Sequence, residues 1–301
     1  MVGSGGISGQ DRKLKPSSKT VTSDESAQPL VPPAALSIGG SDSGGGAGIQ
    51  ADLKTFSALQ VHGCTAITCI TAQNTCGVER VDALPAAAVS AQVAAVCRDL
   101  PVAALKTGML LNSELIEATA AAIAPLAIPR VIDPVMVSRA GAVLLEREAI
   151  AAMTALLPLA SLITPNVHEA ALLSGRPVED RAGMEGAALA LSERGVAAVL
   201  IKGAGIPALR GVDLLCTGGQ LRWLESPAID TIHTHGSGCT LAAAITAHLA
   251  LGLGVAEAVV AAKQFVEGGL RHGLAIGSGQ GPLCHWHASL ELSDGPATPP
   301  R

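Results

Sequence analysis

The sequence predicts an α/β protein with a three-layer, doubly wound and mostly parallel sheet. Two observations predict this class. Short apolar runs alternate along the chain with longer segments of helical periodicity. The apolar runs become polar only at their C-terminal ends, which is typical of parallel strands covered by helices on both faces. With 301 residues, 49% of them hydrophobic, the chain is long and apolar enough for one large domain.

The elements follow one another in a regular order, because each apolar run ends at a glycine, a proline or a polar residue before a helical pattern begins. The predicted strands are residues 34–40, 64–73, 103–108, 130–135, 161–166 and 197–203. The predicted helices between them lie near 46–61, 86–99, 113–124, 146–157, 167–174 and 182–194. Residues 212–226 predict a β-hairpin that turns at Gly218-Gly219. Helices over 238–251 and 255–272 complete the domain.

Residue composition predicts where the folded domain begins and ends. Residues 1–33 are rich in Ser, Gly and Lys and have no apolar periodicity, so we expect a disordered N-terminal arm. Residues 289–301 are similar and predict a flexible C-terminal tail. The folded domain is therefore expected over residues 34–288.

Charge and residue content argue against several classes of partner. The net charge is −5 and aromatic residues make up 1%, so neither a basic surface nor a stacking platform for nucleic acid is expected. The apolar runs are too short to span a membrane, and no secretory signal precedes residue 29. The seven cysteines form no C-x-x-C pair, which argues against a structural zinc site and favours reduced thiols in the cytoplasm.

Several common enzyme signatures are also missing from the sequence. There is no Gly-Lys dipeptide for a Walker A loop, and no G-x-G-x-x-G follows a predicted strand. Neither G-x-S-x-G nor H-E-x-x-H occurs. P-loop enzymes, dinucleotide oxidoreductases, common serine hydrolases and zincins are therefore disfavoured.

Polar and glycine residues instead collect where the predicted strands end. In open α/β sheets ligands bind at the carboxyl ends of the strands, although loops carry polar residues for other reasons too. The residues in this position are 39–42, 73–74, 106–109, Asp133, Asn166 and 202–203.

Two of these segments permit both a functional and a structural interpretation. Asp52, in the first turns of the helix that follows the glycine-rich residues 39–48, could accept hydrogen bonds from a polar ligand or simply favour the helix N-terminus. Asn166 and Glu169 in TPNVHEA have the spacing for water-mediated Mg²⁺ binding and equally for a capping box.

The segment HTHGSGCT, residues 233–240, carries the strongest chemical signal. Gly236, Ser237 and Gly238 precede an alanine-rich helix, so their N–H groups could bind phosphoryl oxygens at its N-terminus. The helix dipole is expected to lower the pKa of Cys239 and make it partly thiolate near neutral pH. That thiolate could act as a nucleophile or as a base; alternatively, Cys239 is a small buried residue at a helix start.

Taken together, these segments resemble a known enzyme family. The segments that carry the resemblance are GGSDSGGGAGIQADLKTF, TAQNT, GML, DPVM, LITPNVHEA, VLIKG and HTHGSGCT. In order and spacing they make residues 35–288 similar to the hydroxymethylpyrimidine and hydroxymethylpyrimidine-phosphate kinases of thiamine biosynthesis, members of the ribokinase superfamily. The resemblance implies a ribokinase-like fold, ATP- and Mg²⁺-dependent phosphorylation of the hydroxymethyl group and then of the monophosphate, and a homodimer.

The resemblance also implies roles for individual residues. Gly40, Asp52, Gln73 and Met109 match positions that hold the pyrimidine, and Lys202, Asn166 and Asp133 match positions around the nucleotide. Glu169 matches the magnesium position, Cys239 the catalytic base, and Gly236, Ser237 and Gly238 the anion hole.

The sequence departs from the family pattern at two places. G-S-G-C replaces the usual G-T-G-C, and SDSGGGAG replaces a Pro-Ser-Gly-Gly pattern. The alternatives that remain are a pyridoxal or pyridoxamine kinase and a non-catalytic protein that binds a vitamin precursor.

Overall fold

The computed structural model describes residues 30–136 and 147–291, together with Met1 and Gly3. The chain divides into two units, Met1–Val31 and Pro32–Arg301, and the strands and helices given below belong to the second. Most of the predicted arm, and residues 292–301 of the predicted tail, lie outside the described residues. A short helix over His287–Glu291 crosses the predicted boundary between domain and tail.

The described strands are β1 Ala34–Asp42, β2 His62–Asn74, β3 Gly77–Ala83, β4 Val102–Thr107, β5 Arg130–Ile132, β6 Leu162–Ile163, β7 Ala198–Lys202, β8 Val212–Thr217 and β9 Gln220–Glu225. They form one nine-stranded sheet in the order β3-β2-β1-β4-β5-β6-β7-β8-β9. The six strands from β2 to β7 in this order are parallel to one another, while β3 pairs antiparallel with β2, β8 with β7, and β9 with β8. This arrangement confirms the predicted mostly parallel sheet.

Helices cover both faces of the sheet. They are α1 Gly48–Ala58, α2 Ala86–Asp99, α3 Ser113–Ile123, α4 Arg147–Leu156, α5 Val167–Ser174, α6 Arg181–Glu193, α7 Ser237–Ala250, α8 Val255–Arg271 and α9 His287–Glu291. Helices α2 to α6 pack into one core, and α1, α7 and α8 pack on the opposite face. Within β4, Leu105 joins the first core and Ala104 the second, as the two-residue period of a strand requires. No described helix is long and apolar enough to span a membrane.

The structure differs from the predicted elements in two ways. Strand β3 was not predicted, because all of its residues are exposed and its sequence GVERVDA therefore lacks the apolar pattern of a buried strand. Strands β5 and β6 are shorter than predicted, since each predicted run contains a proline, Pro134 or Pro165, which cannot donate to the sheet.

The strand order places a topological switch point between β1 and β4. The chain passes from β1 to β2 on one side, and later to β4 on the other side of β1. The connecting segments therefore separate at the carboxyl ends of β1 and β4, which leaves a crevice there.

Candidate active site

Residues near the end of β1 lie in contact with the first residues after β4 and form the floor of the crevice. A Cβ added to Gly39 would lie 3.6 Å from the backbone nitrogen of Gly108, and one added to Gly40 would lie 2.9 Å from Cε of Met109. Met109 is half-buried, and its carbonyl accepts a hydrogen bond from Oγ1 of Thr68 on β2. The structure thus brings the predicted pyrimidine residues Gly40 and Met109 together.

The glycine-rich loop after β1 is folded around the Asp42 carboxylate. Its Oδ1 accepts the N–H of Gly44 at 2.8 Å, and its Oδ2 accepts the N–H groups of Gly46 at 3.0 Å and Ala47 at 2.8 Å. The loop then packs against the start of α7, where Gly236 has φ +76° and an added Cβ would lie 1.8 Å from the Gly46 carbonyl oxygen. Glycine at 236 is therefore required by both conformation and space.

Helix α7 begins within this crevice. Its N-cap is Gly236, and within the described part of the chain no side chain caps the N–H groups of its first turn, which contains Ser237, Gly238 and Cys239. An uncapped helix start presents N–H donors and the positive end of the helix dipole. Such a helix start can bind an anion, and the assignment of residues 236–238 to phosphoryl oxygens stays a prediction.

Lys202, the last residue of β7, lies beside the start of α7. The Nζ of Lys202 lies 3.5 Å from the position that a Cβ on Gly238 would occupy, and it donates to Oδ1 of Asp133 at 3.0 Å. Asp133 also accepts a hydrogen bond from Thr164 at 2.8 Å. Burial alone would lower the pKa of Lys202, but the charges of Asp133 and Glu169 outweigh it and raise that pKa. Lys202 is therefore cationic at neutral pH.

A fully buried lysine, Lys106, lies close to Cys239. Lys106, with 0% of its side chain exposed, donates to both carboxylate oxygens of Asp52 at 2.8 and 2.9 Å, and Ser37 donates to Asp52 at 2.6 Å. Burial would lower the pKa of Lys106, but the charge of Asp52 outweighs it and raises that pKa. Asp52 thus lies in the crevice region as predicted, but its carboxylate is engaged by protein groups. The sequence analysis noted Lys106 only as a polar strand end.

Asn166 and Glu169 form the capping box of α5. The Asn166 side chain accepts the N–H of Glu169 at 2.9 Å, and the Glu169 carboxylate accepts the N–H of Asn166 at 2.8 Å and that of Met136 at 3.3 Å. Burial raises the pKa of Glu169 to about 7 despite the charge of Lys202. Among the described residues, no group of three His, Cys, Asp or Glu side chains could hold a metal ion. The magnesium role of Glu169 stays a prediction.

Cys239 lies in the first turn of α7, and its ionisation differs from expectation. The residue is half-buried, and a backbone hydrogen bond from Gly48 reaches its thiol. Burial raises the pKa of Cys239, and the carboxylates of Asp52 and Asp133 add to this effect while Lys106 opposes it. The expectation of a partly ionised thiol in the free protein is therefore wrong, because desolvation and two carboxylates outweigh the favourable helix end.

Gln73, at the end of β2, joins a contact that the sequence analysis missed. Its Nε2 lies 3.3 Å from Nε2 of His235, and its Oε1 lies 3.1 Å from Oγ1 of Thr71. The same His235 nitrogen lies 3.1 Å from Oδ2 of Asp42. Two signals pointed here, the aspartate at the end of β1 and the histidine before the glycines of HTHGSGCT, but nothing in the sequence connected them.

Comparison with known proteins identifies the family. A sequence profile described as phosphomethylpyrimidine kinase matches residues 42–284, which include the crevice and the start of α7. The chain belongs to the phosphomethylpyrimidine kinase family. A protein of Synechococcus elongatus named hydroxymethylpyrimidine/phosphomethylpyrimidine kinase is 59% identical over 260 residues, which cover 86% of this chain and 99% of that protein.

Solved structures support the ribokinase-like fold expected for this kinase. Bacillus subtilis pyridoxal kinase in an ADP complex is 40% identical with a TM-score of 0.80, over 85% of this chain and 98% of that one. The phosphomethylpyrimidine kinase of Clostridium difficile is 38% identical with a TM-score of 0.70, over 78% of this chain and 97% of that one. The phosphomethylpyrimidine kinase family therefore includes this chain in both sequence and architecture.

Proposed function

We propose that this kinase transfers phosphate from ATP to 4-amino-5-hydroxymethyl-2-methylpyrimidine and then to the resulting monophosphate, giving the diphosphate used in thiamine biosynthesis. One observation carries the proposal: the start of α7 lies beside the Nζ of Lys202, and Cys239 in its first turn accepts a hydrogen bond from Gly48, where an added Cβ would lie 2.3 Å from the Gly40 carbonyl oxygen. An anion site beside a floor suited to a small ring is what phosphorylation of a ring substituent requires.

The phosphate side of the site consists of Lys202 and the first turn of α7. Lys202 faces Gly238 and is held by Asp133. We assign the N–H groups of 236–238 to the oxygens of the transferred phosphoryl group, and Lys202 and Asn166 to the bound nucleotide. The ADP complex of the similar Bacillus subtilis protein supports nucleotide binding by this fold.

Magnesium fits the same side of the site. Asp133 and Glu169 are buried carboxylates next to Lys202, and oxygen donors of this kind suit Mg²⁺, which retains water and takes few protein ligands. Both carboxylates already accept hydrogen bonds from protein groups, so we assign them to the ion through its water molecules. When bound, Mg²⁺ supplies positive charge to the phosphate oxygens.

On the substrate side, we assign the half-buried Met109 and the space above Gly40 to the pyrimidine ring. We assign the Gln73 amide to hydrogen bonds with the ring nitrogens and the amino group of the pyrimidine. We assign Asp52, which is paired with Lys106, to the same subsite. A side chain at position 40 would meet both Cys69 and Met109 at 2.9 Å and so fill the space assigned to the ring.

We assign Cys239 as the base that accepts the proton of the hydroxymethyl oxygen. Because its pKa is raised, only a minor fraction is thiolate at neutral pH. The thiolate that does form is a strong base, and in phosphoryl transfer positioning and charge supply most of the acceleration. The proton leaves the attacking oxygen for sulfur as that oxygen bonds to the γ-phosphorus, and the bond from this phosphorus to the bridging oxygen of ATP breaks so that ADP leaves.

We also propose a homodimer in the cytoplasm. Edge strand β3 and its neighbour β2 expose Ile70, Val78 and Val81, and an unpaired edge with apolar side chains favours association. The seven free cysteines are consistent with a reducing compartment. Light scattering of the purified protein tests the dimer: Val78→Lys with Val81→Lys should give a monomer, whereas an unchanged mass would place the contact elsewhere.

The second candidate is a pyridoxal kinase. The similarity to Bacillus subtilis pyridoxal kinase favours it, because pyridoxal also carries a hydroxymethyl group on a nitrogen ring. A coupled ATPase assay with the pyrimidine, its monophosphate and pyridoxal distinguishes the two. We expect the highest kcat/KM with the pyrimidine substrates; a higher value with pyridoxal would favour the second candidate, and no turnover with any of them would refute a kinase of this kind.

A further inference from the structure

His235 links two parts of the site that lie on different strands. Its Nε2 is 3.1 Å from Oδ2 of Asp42 at the end of β1, and 3.3 Å from the side-chain amide of Gln73 at the end of β2. The histidine itself belongs to the turn that leads into α7. One ring nitrogen therefore contacts both Asp42, whose carboxylate holds the glycine-rich loop, and Gln73, which is assigned to the substrate.

The donors and acceptors in these contacts determine that Nε2 of His235 carries a hydrogen. Burial alone would raise the pKa of Asp42, but hydrogen bonds from His235 and from the backbone of Ala47 and Gly44 outweigh it and lower that pKa. Asp42 is thus an ionised acceptor, and Nε2 of His235 must carry a hydrogen to be 3.1 Å from it. The same nitrogen cannot also accept a hydrogen bond from Gln73.

The amide of Gln73 must then turn its oxygen toward His235. The two ends of an amide have the same shape, so its hydrogen-bond partners decide which end faces which group. Thr71, on the other side of the amide, already lies within 2.9 Å of the Ser41 carbonyl, to which its only hydroxyl hydrogen can be donated. Its oxygen is then free to accept from the Gln73 NH₂ group. Every contact is satisfied when the amide oxygen faces His235 and the NH₂ group faces Thr71.

The histidine is itself held rigidly. Its backbone N–H donates to the carbonyl of Gly281 at 3.2 Å, and a Cβ on Gly46 would lie 2.4 Å from its ring. Asp42 is fixed in turn by three backbone N–H groups of the glycine-rich loop. The imidazole therefore has little freedom to move away from Gln73.

We propose that His235 is a positioning residue for pyrimidine recognition: its Nε2–H, shared between Asp42 and Gln73, holds the Gln73 amide in one orientation, with one N–H left for the substrate ring. The inference rests on the proposed function, because it gives Gln73 the substrate role assigned above. It predicts that His235 acts on pyrimidine affinity through Gln73 and does not act on the nucleotide.

The test is steady-state kinetics of the full chain with 4-amino-5-hydroxymethyl-2-methylpyrimidine and ATP. His235→Leu should raise KM for the pyrimidine about 10-fold, the effect of one hydrogen bond, and leave KM for ATP within about 2-fold. His235→Gln, whose amide N–H can replace Nε2–H, should restore most of the affinity. His62→Leu, the same change at an exposed histidine at the start of β2, is the matched control.

A double-mutant cycle separates positioning from packing. In a Gln73→Ala background, His235→Leu should change the pyrimidine KM by less than about 2-fold, because the residue through which it acts is gone. Independent effects of the two substitutions would overturn the proposal. It would also be overturned if Leu and Gln at 235 were equally impaired, or if kcat and both KM values changed together. A wild-type protein that does not phosphorylate the pyrimidine would instead refute the proposed function, and the inference with it.

Discussion

The buried ion pair between Lys106 and Asp52 gives the sharpest stability prediction. Both side chains are at most 2% exposed, and Nζ lies 2.8 and 2.9 Å from the two carboxylate oxygens. Lys106→Met keeps most of the apolar stem but leaves the Asp52 carboxylate buried, with Ser37 as its one remaining hydrogen-bond donor among the described residues. Removing one member of a buried pair costs about 3–5 kcal/mol, because the remaining charge is unpaired in a medium of low polarity.

Urea unfolding, followed by circular dichroism at pH 7, measures this loss. We expect Lys106→Met to lower the free energy of unfolding by about 3–5 kcal/mol. The double variant Lys106→Met with Asp52→Asn should recover about 2 kcal/mol of that loss, because no uncompensated charge remains. Arg80→Met, which breaks an ion pair whose side chains are 72% and 52% exposed, is the control and should leave stability unchanged within error.

Two results would refute this prediction. A loss below about 1 kcal/mol for Lys106→Met would mean that Asp52 is easily protonated or solvated, and that the pair is not a charged one. A double variant as unstable as the single one would show that the loss comes from packing around position 106. Either result would also remove the electrostatic basis for a charged Lys106 close to the reacting thiol.

Four further predictions follow from the site. Cys239→Ala should keep ATP and pyrimidine binding by calorimetry but abolish turnover; near-normal turnover would refute the base assignment. Because the Cys239 pKa is raised and its base form is the thiolate, wild-type kcat/KM should keep rising with pH through the neutral range up to that pKa; a plateau below pH 7 would contradict this. Lys202→Met should raise KM for ATP at least about 10-fold, as the loss of a charged hydrogen bond would, and leave the pyrimidine Kd unchanged; an unchanged ATP KM would remove the phosphate role. Burial raises the pKa of Glu169 to about 7 in the folded protein, so protonated Glu169 favours the folded state. In the wild type this contribution to stability is complete below pH 4.5 and is lost as pH rises to about 7. The loss is about 3 kcal/mol, at about 1.4 kcal/mol per unit of pKa. Glu169→Gln should remove that slope in urea unfolding with EDTA present, and an identical slope in both proteins would contradict the prediction.

Sequence reasoning found the elements that have a repeating apolar pattern. The strands at the centre of the sheet, such as β4 and β7, are buried on both faces and could be recognised from their composition. Strand β3 could not, because it is exposed along its whole length and only its pairing with β2 makes it a strand. The prediction that Cys239 is partly ionised was wrong for a related reason: the helix start is visible in the sequence, but the burial and the two nearby carboxylates are not.

The distance along the chain separates the features of the site that the sequence predicted from those that only the structure showed. By itself, the sequence determined the sheet class, the glycine-rich loop and a helix that begins at the glycines before Cys239, because each depends on residues close together in the chain. Only the tertiary structure decided that Lys106 pairs with Asp52, 54 positions away, and that His235 joins Asp42, 193 positions away. Those contacts form where the strand order brings separate strand ends to one crevice, and hydrogen bonds and charges act over a few ångströms of space, whatever the distance along the chain.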